Sequence, residues 1–84
     1  AWLEIDLGQA REFSRAKIQE WDGDPGRIQA FEIKVASDGG WKTVAHGASC
    51  KNEIRFDPIT ARSVRLEIIK AREGPSISEF QLLK

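Results

Sequence analysis

The 84 residues carry thirteen basic and thirteen acidic side chains, for a formal net charge of zero. A chain of this length makes one domain that buries about 60–65% of its unfolded surface, and balanced charge sets up no global field for nucleic acid or anionic lipid. Apolar runs of only two or three residues exclude a transmembrane span and a signal-peptide core.

The chain opens on an alternating segment, Trp2 to Leu7, with Leu3, Ile5 and Leu7 on one face and Trp2, Glu4 and Asp6 on the other. That is the period-two pattern of a half-buried strand. Gly8 to Glu12 reads as a polar turn. Phe13 to Trp21 is a second strand, with Ala16, Ile18 and Glu20 to one side and Lys17, Gln19 and Trp21 to the other. Asp22-Gly23-Asp24-Pro25-Gly26 is dense in turn formers. In the third strand, Arg27 to Ala36, Phe31, Ile33 and Val35 alternate with Glu32 and Lys34. Ser37-Asp38-Gly39-Gly40 supplies positive-φ residues for a tight hairpin, and Trp41 to Ala45 runs back as a fourth strand.

His46 to Lys51 reads as a loop. Asn52 to Asp57 is a fifth strand with Ile54 and Phe56 inward, broken at Pro58 to Ala61 because proline cannot donate to a central ladder. Val64, Leu66 and Ile68 mark a sixth strand, with Arg65 and Glu67 toward water. Ala71 to Ser76, containing Gly74-Pro75, is the last loop. Ile77 to Leu83 closes the chain with Phe80 and Leu82 on one face.

No stretch sustains the apolar spacing of an amphipathic helix, and there is no repeat or low-complexity tract. The expectation is an all-β antiparallel sandwich of seven short strands, a single domain over residues 1–84. Its expected core is Leu3, Ile5, Leu7, Ile18, Phe31, Ile33, Val35, Ile54, Phe56, Val64, Leu66, Ile68, Phe80 and Leu82. The lone cysteine, Cys50, forms no internal disulfide and is read as a semi-buried thiol. The absence of methionine, with a strand pattern beginning at the first residues, points to a C-terminal piece of a larger polypeptide.

The run WLEIDLG, a strand ending IQE, then GRIQAFEIKVASDGGWKTVA, ARSVRLEII and ISEFQLL together resemble a discoidin-type module. This is the coagulation-factor C-type (F5/8 type C), galactose-binding-domain-like jelly roll. More narrowly, IQEWDGDPGRIQAFEIKV, GWKTVAHG, TARSVRLEI and GPSISEFQLL are similar to the C-terminal β-sandwich of bacterial α-L-fucosidases. The resemblance covers almost the whole chain. It implies a non-catalytic accessory domain whose partner is the catalytic barrel of the same polypeptide, in a periplasmic or secreted bacterial glycosidase. The alternative it implies is an independent carbohydrate-binding module for galactose- or fucose-containing glycans. It implies that the N-terminal strands which precede the DLG strand in relatives are lacking here, with no cofactor in this segment and a structural calcium site only in that N-terminal part. In the sugar-binding modules the loop before the GRI strand offers Arg and Asn to the ligand; here residues 20–26, EWDGDPG, contain neither.

Catalysis has no residue set in this chain. The single histidine, His46, has no nucleophile motif beside it, and the carboxylates are spread over strand faces without the facing pair that glycoside hydrolysis requires. Binding has a geometric basis. If every connection reverses the chain, the loops around 22–26, 46–51 and 71–76 share one end of the sandwich. That end would collect Trp21, Asp22, Asp24, Arg27, His46, Lys51, Asn52, Arg72 and Glu73. An aromatic face beside planar polar groups suits a sugar ring; the plainer account is that Trp21 packs at the mouth of the sandwich and the charges are solvated. Trp41 is expected to cover the end of the core, and Trp2 to meet a neighbouring segment or domain. Arg62, Arg65, Lys70 and Arg72 are interleaved with Glu67 and Glu73, so neither nucleic acid nor membrane insertion is expected.

Overall fold

The computed structural model describes residues 2–20, 28–37, 39–48, 53–71 and 77–84. These residues form five antiparallel strands and no helix: β1 (Trp2–Glu20), β2 (Ile28–Ser37), β3 (Gly40–Gly47), β4 (Ile54–Ala71) and β5 (Ile77–Leu83). Their order across the sheet is β3-β2-β4-β1-β5.

The first two expected strands are one, and so are the fifth and sixth. β1 pairs with β4 from Trp2↔Glu67 to Ala16↔Ile54, with the register shifting twice. Between Asp6↔Ser63 and Arg11↔Ala61, residues 7–10 oppose Arg62 alone. Gly8 takes a φ of 83° within this excursion, and its amide donates to Asp6 Oδ1 at 2.8 Å. The polar stretch Gly8 to Glu12 is therefore a bulge inside a strand and not a chain reversal. The second shift lies between Phe13↔Ile59 and Arg15↔Arg55, where Phe56, Asp57 and Pro58 oppose Ser14. Pro58 thus falls where the ladder already yields, one of the few places a sheet accepts it. It does not end the strand.

These irregularities divide the long β1–β4 ribbon in two. Residues 2–6 and 63–67 continue into β2 and β3, whereas residues 11–20 and 54–61 continue into β5. Side chains from both halves meet in one core: Phe13, Ala16 and Ile18 of β1, Ile28, Phe31, Ile33 and Val35 of β2, and Ala61, Val64 and Leu66 of β4. A single apolar cluster shared by opposite ends of one sheet requires the sheet to fold over on itself as a sandwich. Ile54, Phe56, Phe80 and Leu82 pack against it partly buried, with Phe13 and Phe56 edge to face at 5.9 Å.

Two expectations about the core are corrected. Leu3 is exposed, because β5 pairs only with residues 15–20 of β1 and no described strand covers the far side of residues 2–6. Phe13, Ala16, Ile28 and Ala61 are fully buried additions. Between β2 and β3, Ser37 pairs with Gly40, and Gly39 has a φ of 83°. Only one glycine of the hairpin, Gly39, is in the left-handed region. Cys50 lies outside the described residues.

Candidate functional site

The loops of the expected binding end lie mostly outside the described residues, and the register fixes only the strand ends beside them: Glu20 is the partner of Ile77, and Ile28 that of Ala71. The third connection runs from Gly47, paired with Phe31, to Ile54, paired with Ala16. Trp21, Asp22, Asp24, Arg27, Lys51, Asn52, Arg72 and Glu73 lie outside the described residues. His46 does not sit in a loop. It is an exposed residue of β3 in register with Glu32.

The register builds a second feature, on the outer face of the β1–β4–β2–β3 layer. Reading across the strands, Trp2, Glu67, Glu32 and His46 form one row, and Glu4, Arg65, Lys34 and Thr43 the next. Arg65 is the hub. Its guanidinium carbon lies 4.2 Å from the ring centroid of Trp2 and 4.2 Å from that of Trp41, while Nη2 donates to Glu4 Oε1 at 3.1 Å. The attraction of a planar cation for two indole faces holds both rings over the sheet. Arg65 Nε is buried without a hydrogen-bond partner, a desolvation cost that subtracts from this gain. Trp41 therefore caps an arginine on the outer face and not the end of the core, and the partner of Trp2 is that same arginine.

Beside the hub, Lys34 Nζ lies 3.3 Å from Glu67 Oε2 and 3.5 Å from Glu32 Oε1. Thr43 Oγ1 donates to Glu32 Oε1 at 3.4 Å. Farther along β1, Arg62 grips Asp6 as a fork, Nε to Oδ1 at 2.9 Å and Nη2 to Oδ2 at 3.3 Å. The Arg62 side chain, and after it the Gly8 amide, hold the Asp6 carboxyl below its ordinary value; the Asp6 side chain in turn raises Arg62. Positive and negative groups on this face satisfy one another, so the surface presents aromatic rings and paired charges without a field of one sign. The sequence names every residue of the face, but Trp41 and Trp2 are 24 and 63 positions from Arg65. Only the strand register brings them together.

Two concavities accompany these features. A cleft of about 400 Å³ is lined by Leu7, Arg11, Glu12, Phe13, Leu82 and Lys84. An open depression of about 440 Å³ lies against Trp41 and the β2–β3 hairpin. Among the described residues that line them, the one acidic side chain is Glu12, in the cleft. Among the described residues, no group of three or more His, Cys, Asp or Glu side chains is placed to hold a metal ion.

A family model described as the F5/8 type C domain matches residues 1–80. No curated protein matches the chain. Among solved structures, a Bacteroides thetaiotaomicron protein assigned as an α-L-fucosidase matches 99% of this chain and 20% of its own, at 28% identity and a TM-score of 0.85. The family 32 CBM of C. perfringens NanJ, solved with galactose, matches 96% of this chain and 64% of its own, at 30% identity and a TM-score of 0.80. A Clostridium perfringens CBM32 solved with GalNAc-β-1,3-galactose matches 99% and 65%, with a TM-score of 0.83; at 20% identity the likeness is one of fold alone. The chain therefore spans about a fifth of the fucosidase-assigned protein and just under two thirds of the two binding modules.

Proposed function

This chain belongs to the F5/8 type C domain family, and on that premise we propose that it is a non-catalytic accessory domain of an α-L-fucosidase-like glycoside hydrolase, packing on or assisting the catalytic domain. The observation that carries this reading is the match of 99% of the chain to one fifth of a fucosidase-assigned protein, at 28% identity. The geometry agrees with it. Charges on the outer face are paired within the domain. A bacterial parent of this kind would act in the periplasm or outside the cell.

A second reading, an independent carbohydrate-binding module, draws on the 30% identity to a module solved with galactose. In that reading Trp21, Asp22, Asp24, Arg27, Asn52 and Arg72 supply the ring and the hydroxyl partners, with His46 reaching the end from β3.

Sequencing the gene on both sides of these codons tests the first reading. The expected result is a fucosidase-type catalytic barrel in the same reading frame. A frame with no glycoside hydrolase domain would overturn it.

A further inference from the structure

We propose that the outer sheet face between Trp41 and the Asp6–Arg62 fork is a contact site for a neutral pyranose sugar. It lies one row beyond the Arg65 hub. Asp6 pairs with Ser63 and Trp41 with Ala36, and Ala36 and Ser63 are the residues next to the pair Val35↔Val64 on their two strands. The row across the four strands is therefore Asp6, Ser63, Ala36, Trp41. Its two middle members are small, which leaves a low floor between an indole and a carboxylate–guanidinium fork. Three strand spacings, about 14 Å, separate the two walls, room for a sugar ring. The open depression of about 440 Å³, lined by Ala36, Ser37, Gly39, Gly40 and Trp41, lies on the Trp41 side of this floor. On β2 and β4 the row is at the end away from Ile28↔Ala71, so it is separate from the loops expected to bind.

Each part suits a polyhydroxylated ring. The Arg65 guanidinium, 4.2 Å from the centroid of the Trp41 ring, fixes the indole before any ligand arrives and leaves its opposite face to stack on sugar C–H groups. The fork engages Arg62 through Nε and Nη2. A guanidinium has five donors and keeps the others for hydroxyl oxygens, while Asp6 Oδ2 keeps a lone pair for a hydroxyl proton. Charge cancels within the fork, so the face favours a neutral ligand over an ionic one. A covering protein segment is a poorer occupant. The fork is well exposed, at 61% of the Arg62 side chain and 57% of the Asp6 side chain, and burying it would strip its hydration. Sugar hydroxyls replace that water with bonds of the same kind.

This site does not depend on the parent being a glycosidase, so it and the proposed function fail separately. An NMR titration of the chain, following backbone and indole N–H groups, with galactose and separately with fucose up to about 100 mM tests it. The expected result is saturable shifts of the Trp41 indole N–H and of the Ala36 and Ser63 amides, half-complete above about 1 mM as befits an open site. Ala36→Leu raises the floor and leaves both walls in place; it should weaken binding at least about tenfold, with amide dispersion reporting that the variant is folded. Arg62→Met removes the fork and should weaken binding by about three- to tenfold. No saturable shift with either sugar, shifts that Ala36→Leu leaves unchanged, or shifts confined to Ile28, Gly47, Ala71 and Ile77 would overturn the proposal.

Discussion

Leu3 and Leu66 are register partners across β1 and β4, yet Leu66 has no exposed surface while Leu3 keeps 42% of its own in solvent. Burial on the core side of this ribbon depends on which strands lie alongside, and alternation alone does not decide it. Leu66→Ala should cost about 2–5 kcal/mol, as removal of a fully enclosed side chain does, and Leu3→Ala less than about 1 kcal/mol. Paired chemical-denaturation curves measure both.

Arg65 joins the two exposed tryptophans into one unit. Two stacks at about 0.5–1 kcal/mol each are offset by a buried Nε without an acceptor, which costs about 1–3 kcal/mol, so the net contribution is close to zero. Arg65→Lys keeps the charge but removes both the planar stacks and the unpartnered Nε, so stability should change by less than about 1 kcal/mol. Tryptophan emission is the companion readout. It should shift toward the solvent-exposed wavelength in Arg65→Lys, and an unchanged spectrum would mean the rings do not rest on the guanidinium.

The β2–β3 hairpin separates two adjacent glycines. Gly39 holds a φ of 83°, and an added Cβ would meet nothing within 4 Å, so its cost is conformational alone. Gly39→Ala should destabilise by about 1–2 kcal/mol. Gly40 is outside the left-handed region, and its nearest neighbour would be Ser37 O at 4.0 Å. Gly40→Ala should therefore be close to neutral. Thermal melts of the two variants give the comparison.

Asp6 predicts an acid-side dependence. Its folded pKa lies below the ordinary 3.8 because Arg62 and then the Gly8 amide bond to the ionised form. A depressed carboxyl contributes stability that is full above the ordinary value and is lost as pH falls through the folded one. The melting temperature of the wild type should therefore drop faster than that of Asp6→Asn below about pH 4. Parallel curves would place the Arg62 fork outside the energetics of the fold.

Period-two reading located much of the core because Ile18, Phe31, Ile33, Val35, Val64 and Leu66 lie on strands flanked by others, where every second residue is enclosed. It miscounted strands at Gly8 and Pro58, since a residue that ends one kind of strand can also sit in a bulge within another. The placement of Trp41 was not legible, because Arg65 lies two strands away and only the register brings ring and guanidinium to 4.2 Å.

The central claim, an accessory domain of a glycosidase more than a glycan receptor, meets its most direct test in a backbone-amide NMR titration of the chain with galactose and with fucose. The resonances to follow are those of strand ends that flank the expected loops, Ile28, Gly47, Ala71 and Ile77. The account predicts no saturable shift at sugar concentrations below about 1 mM, an affinity no stronger than about −4 kcal/mol. Saturable shifts at those four positions well below that concentration, abolished by Trp21→Ala, would contradict it and establish the binding module.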